Sequence, residues 1–175
     1  MKKAEVIRDY NATAAIYDSR YREEQSLKIA FMMMRLRPKK GDTVVDVGCG
    51  TGLLLEQLGV GGPHLGIDAS IGMLEEARKR GTGADLVLCD AENLPLRDGC
   101  CDLVYSVSLL QLMEAPERCM AEMLRVLRKG GSYAVSILLK SVLTKRVEES
   151  LRETGVDAYE SESMKDLFLF GRKTE

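Results

Sequence analysis

The stretch "VVDVGCGTG", Val44 to Gly52, constrains the fold more than any other part of the chain. A short, largely β-branched run followed by a break reads as a strand buried on both faces. Gly48, Gly50 and Gly52 then crowd into the turn that leaves it. Glycine costs roughly 0.5–1 kcal/mol relative to alanine within regular structure, so such a cluster needs a physical reason. A strand-to-helix turn of bare backbone supplies one. It lets a ligand approach the main chain and directs the N–H groups at the helix start toward it.

The rest of the chain repeats that alternation. "TVVDV" (43–47), "HLGID" (64–68), "ADLVLCD" (84–90), "CDLVYSVS" (101–108) and "SYAVSIL" (132–138) read as strands. Helices are predicted over 52–58 and 70–80, and in "PERCMAEMLRVLRKGG", where Pro116 sits in the first turn and Gly130-Gly131 are the expected stop. A further helix is expected over about 142–154, and "KDLFLFGRK" (165–173) closes the chain as a strand that can pair with "VDAYE" (156–160). This order predicts an α/β fold: a Rossmann-like, doubly wound, mostly parallel sheet with helices on both faces. Ligands of such sheets bind beyond the carboxyl ends of the strands, where the winding reverses.

At 175 residues the chain suits one domain with a substantial core. No apolar run is long enough to span a membrane, and "MKKAEVIRDY" carries charge where a secretory signal would be apolar. The expected setting is cytoplasmic. Five cysteines, Cys100 and Cys101 adjacent, do not form a disulfide framework, and one histidine without a CxxC pair argues against a metal site. A net charge of −2 argues against general affinity for nucleic acid. The charge is uneven, because residues 1–40 hold ten Lys or Arg against five Asp or Glu. "RLRPKK" (35–40) reads as a solvated helix end before it reads as a phosphate-binding surface.

The ligand is narrowed by position. Dinucleotide enzymes place G-x-G-x-x-G/A after the first strand. Here Gly48 and Gly50 fit but Leu53 holds the third place, giving G-x-G-x-G. Asp68 closes the second strand, where an acid accepts from both ribose hydroxyls; the alternative reading is a cap for the helix near Ser70. Asp90 ends the third strand, where it can accept from an exocyclic amine, with the Ala91 N–H beside it. Acids at Asp46, Asp68 and Asp90 tolerate a polyphosphate poorly and suit an adenosine that bears a positive centre and an amine.

On these residues the sequence resembles a class I S-adenosylmethionine-dependent methyltransferase of the small ubiquinone/menaquinone-biosynthesis-like (methyltransferase type 11) group. "VVDVGCGTG", "GIDASIGMLEEAR", "DAENLPLRDGCCDLVYSVSLLQLM" and "EMLRVLRKGGSYAVSI" match its motifs in order, over roughly residues 10–138. The resemblance implies S-adenosyl-L-methionine as cofactor, with Asp46 and the backbone of Gly48, Cys49 and Gly50 at its methionyl part. Asp68 would bind the ribose, Ala69 and Met73 would line the adenine, and Asp90 and Ala91 would read it. Ser106 would lie near the reacting methyl. Residues 1–40 would form a helical segment covering the site, and 41–175 the cofactor-binding methyltransferase domain.

Tyr10, Tyr17 and Tyr21 fall within about 40° of one another on a continuous helix. Tyr17 is the candidate ligand contact; packing on the sheet is the other reading. Related sequences often carry histidines after the fourth strand, where Gln111 and Leu112 stand here, so no catalytic residue is assigned. The expected reaction is methyl transfer to a small-molecule acceptor, with a homodimer or a partner subunit as possible cover for the site. A cofactor-binding subunit without activity of its own, and a nicotinamide-dependent oxidoreductase, are the competing readings.

Overall fold

The computed structural model describes residues 2–59, 62–141, 146–147 and 156–174. Residues Lys3–Arg35 form one 33-residue helix, α1, about 50 Å long at 1.5 Å per residue. There follow β1 (Val44–Val47), α2 (Leu53–Leu58), β2 (His64–Asp68), α3 (Ile71–Lys79), β3 (Asp85–Leu88) and β4 (Cys101–Val107). After a 3-10 turn at Leu110–Leu112 come α4 (Pro116–Val126), β5 (Leu127–Leu138), β6 (Asp157–Ser161) and β7 (Asp166–Arg172).

The sheet has seven strands in the order β3-β2-β1-β4-β5-β7-β6. β1 to β5 pair in parallel. β7 returns antiparallel to β5, with β6 antiparallel beyond it. The chain winds from β1 toward β3, then crosses back to β4, so the winding reverses between β1 and β4. Strand alternation sorts the core into two layers. Val45, Val47, Val104 and Val135 meet α4 through Cys119, Met120 and Met123. Val44, Leu103, Tyr105, Ala134 and Phe168 meet Ile29 and Met32 of α1 and Leu53 and Leu54 of α2.

One boundary differs from expectation. α4 ends at Val126, and Gly130-Gly131 lie inside β5 rather than stopping the helix. Carbonyls at and just past the helix end are bonded from elsewhere in the fold: Gly99 N donates to Arg125 O at 3.0 Å, and Lys173 Nζ donates to Leu127 O at 2.9 Å. Gly130 N and Lys173 N then bond to Lys173 O and Gly131 O, both at 2.8 Å, so the end of the chain draws this segment into the sheet. The helix expected over 142–154 lies outside the described residues except at 146–147, which are helical, with Val147 buried.

Candidate functional site

The turn after β1 answers the question its glycines raise. Gly48, Gly50 and Gly52 all take the left-handed backbone, with φ of 77°, 54° and 80°, which side chains disfavour by roughly 1–2 kcal/mol. Gly48 N and Cys49 N donate to Ile67 O at 2.8 and 2.9 Å, which folds the turn over the end of β2. Asp68, at that end, accepts from Gly50 N and from Ser70 N, both at 2.8 Å. It therefore ties the glycine turn to the start of α3. Ser70 itself caps α3, accepting from Met73 N at 3.2 Å. The helix-cap role foreseen as an alternative for Asp68 belongs to Ser70.

Above this turn lies a cavity of about 860 Å³, its open mouth included, lined by Tyr17, Gly48, Gly50, Asp68, Ala69, Met73, Asp90 and Ala91. Eight of the eleven residues singled out in the sequence are thus brought together. Lys3, Val6, Ile7 and Tyr10 of α1 close one side, and Val107, Ser108, Leu109 and Leu112 another. A Cβ on Gly50 would meet nothing within 4 Å, so bare backbone faces open space there.

The other three residues stand behind the cavity wall. Ser106 is fully buried and donates from Oγ to Val47 O at 2.9 Å, inside the sheet. It does not line the cavity; the two residues after it do. Cys49 is buried, with its sulfur in the space left by the missing side chain of Gly66, and burial pushes its thiol up, away from the reactive thiolate form. Asp46 is 2% exposed, and its Oδ1 has no hydrogen-bond partner among the described residues. Burial, with the charge of Asp68 nearby, pushes its carboxyl up to about 8.

Electrostatics at the Asp90 edge of the cavity are set by α1. Lys3 Nζ reaches Asp90 Oδ2 at 2.7 Å and Glu92 Oε1 at 3.1 Å. Burial raises Asp90, but the Lys3 hydrogen bond and charge, with the Glu92 N–H, outweigh it and hold the carboxyl below its usual range. Burial, with the charges of Glu24 and Asp68 and the neighbouring phenols of Tyr10 and Tyr21, raises Tyr17 well above an ordinary phenol, so it remains a neutral donor. Its ring packs, tilted, between Tyr10 and Tyr21, at centroid distances of 6.1 and 5.0 Å.

A second cavity, of about 950 Å³ including its mouth, opens on the other side of these tyrosines. Tyr10, Tyr17, Ser108 and Leu112 line both, so the two spaces meet there. Its further walls include Arg20, Gln25, Lys28, Gln111 and Leu138. Sequence reasoning placed none of these in the site. The signal was present on α1, because Tyr10, Tyr17, Tyr21, Glu24 and Lys28 follow one another by seven, four, three and four residues, the spacing of a single helical face. Ser108 carried no such signal. Among the described residues no group of His, Cys, Asp and Glu side chains is placed to hold a metal ion, and no helix is long and apolar enough to cross a membrane.

The chain matches the family described as "Methyltransferase domain" over residues 45–135. It is 30% identical over 143 residues to a malonyl-[acyl-carrier protein] O-methyltransferase of Pectobacterium atrosepticum, a match that covers 81% of this chain and 56% of that relative. The chain thus spans about half the length of the curated relatives it matches. Among solved structures, the methyltransferase of Haloferax volcanii in complex with the Trm112 methyltransferase activator aligns with a TM-score of 0.81 at 19% identity, over 95% of this chain and 98% of that one. An S-adenosyl-L-methionine-dependent methyltransferase from Methanococcus maripaludis aligns with a TM-score of 0.80 at 17% identity, over 97% and 94%.

Proposed function

Because this chain belongs to the methyltransferase-domain family of class I S-adenosylmethionine-dependent enzymes, we propose that it transfers a methyl group to a small-molecule acceptor held in the second cavity. The observation that carries the reading is Asp68, whose one carboxylate joins the bare Gly50 backbone to the start of α3 at the mouth of the first cavity. The residues present fit the cofactor. The left-handed Gly50 leaves main chain facing open space, Asp46 Oδ1 is buried without a hydrogen-bond partner among the described residues, and acids stand at the tips of β2 and β3 where a polyphosphate would be repelled.

In this reading Gly48 and Gly50 hold the methionyl end, with Asp46 beneath them. Asp68 takes the ribose hydroxyls, Ala69 and Met73 flank the adenine, and Asp90 and Ala91 read its edge. Bound there, the cofactor supplies a methyl group already activated on a sulfonium. The protein's work is then alignment and exclusion of water, which supply most of the acceleration in such transfers. Helix α1 is the cover that does both, through Lys3 at one end of the site and the tyrosine face in the middle. The competing nicotinamide reading is not favoured, because Leu53 is buried in α2 where a third glycine would be needed. The cytoplasm is the proposed setting, and a homodimer or partner subunit would cover the outer mouth.

The test is calorimetry with S-adenosylhomocysteine and NADH in parallel. Binding of the first and not the second is expected; NADH binding alone would end the methyltransferase reading.

A further inference from the structure

Resting on the methyl-transfer reading above, we propose that the acceptor presents a carboxylate oxygen as its nucleophile and that Ser108 holds this oxygen by a hydrogen bond. Ser108 is one of two described non-glycine residues with positive φ, at 55°, a strained conformation of the kind that persists where the surroundings impose it. Its N–H donates to Ser136 O and Oγ, both at 3.1 Å, and its carbonyl accepts from Gln111 Nε2 at 2.8 Å. Strand β5 and the 3-10 turn therefore fix its backbone.

The hydroxyl is fixed from α1. Lys28 is 1% exposed, and three oxygens surround its Nζ: Glu24 Oε1 at 2.7 Å, Asp166 Oδ1 at 3.0 Å and Ser108 Oγ at 3.2 Å. An ammonium has three protons and no lone pair. Ser108 must accept from it, so its own proton points elsewhere. No group among the described residues receives that proton. A spare donor therefore stands at the junction of the two cavities, which Ser108 lines on both sides.

What that donor can hold follows from lone pairs. A neutral amine has one, and a hydrogen bond to it would block its attack on the methyl. A carboxylate oxygen accepts the bond and keeps lone pairs for the new C–O bond, while the C–S bond breaks and its electron pair stays on sulfur. No proton leaves, so the reaction needs no general base, in keeping with Gln111 and Leu112 after the fourth strand. Asp166 and Glu24 more than offset the single charge of Lys28, so Lys28 itself has no charge to spare for an anionic acceptor. Arg20, in the wall of the second cavity and in no ion pair among the described residues, is free to face an anion.

The test titrates the full chain, saturated with S-adenosylhomocysteine, with benzoate and with benzylamine, probes of similar size that differ in the reacting group. Benzoate is expected to bind at least tenfold more tightly. S108A and S108G should each weaken benzoate about tenfold and change S-adenosylhomocysteine affinity less than threefold; S108G removes the hydroxyl without strain at positive φ, so the test survives misfolding of S108A. R20Q should weaken benzoate as well. Preference for benzylamine, wild-type benzoate binding by S108G, or binding of neither probe by the loaded protein overturns the oxygen assignment and leaves the cofactor reading standing. Failure of S-adenosylhomocysteine itself to bind overturns both.

Discussion

Single residues at the glycine turn carry separable costs. Replacing Asp68 with alanine removes the acceptor of two backbone N–H groups. Left unsatisfied, each costs about 1–3 kcal/mol. D68A should therefore lose roughly 2 kcal/mol of stability in urea and more than tenfold in S-adenosylhomocysteine affinity by calorimetry. The two nearest glycines should behave differently from one another. A Cβ at Gly48 would stand 2.9 Å from Leu109 Cδ2, at φ 77°, so G48A is strained and overpacked and should destabilise the free protein. A Cβ at Gly50 meets nothing; G50A should cost about 1–2 kcal/mol from φ alone and weaken the ligand more than the fold. Asp46 links stability to pH. Its carboxyl is raised to about 8 in the fold, so the native state binds more protons than the unfolded chain between pH 4 and 8. Its contribution is complete below pH 4 and lost as pH rises through 8, at up to about 1.4 kcal/mol per pH unit. Denaturation of the unliganded protein should show that fall, and D46N should flatten it.

Between elements, the decisive contact is the ion pair joining α1 to β7. Lys28 and Asp166 are 1% and 0% exposed. Removing one partner leaves a buried charge uncompensated, which costs about 3–5 kcal/mol, whereas replacing both with apolar residues can be neutral. K28M should accordingly lower the urea midpoint sharply, and K28M/D166L should recover most of the loss. Recovery in the double variant shows that the pair is held for position rather than for stability. Burial pushes Asp166 up, opposed first by Lys28 and then by the Ser136 hydroxyl, with the charge of Glu24 adding to the rise. The end of α4 follows the same logic. Leu127 lies within the stretch the sequence marks as helical, yet it belongs to β5, because Lys173 and Gly99 satisfy the helix end from outside.

Across the whole molecule, α1 is fastened at three depths. Lys3 meets Asp90 and Glu92 at the rim, Asp18 meets Arg80 between α1 and α3, and Lys28 meets Asp166 in the interior. Lys3 is 41% exposed, and salt screens such a pair far more than a buried one. Raising salt from 0.05 to 1 M should speed amide exchange in the first three turns of α1 and leave the turns around Lys28 protected. K3M should do the same at low salt and cost less than about 1 kcal/mol. The succession of strands and helices, the glycine turn and the acids at the strand tips were legible in the sequence, because each is written in a local pattern: β-branched runs, glycine spacing, helical period. The lining of the second cavity, the burial of Ser106 behind the sheet and the role of Ser108 were not. They depend on β7 pairing with β5 and on α1 crossing the strand ends, contacts between segments more than a hundred residues apart in the case of Lys28 and Asp166. No periodicity within one segment encodes which distant side chain will meet it.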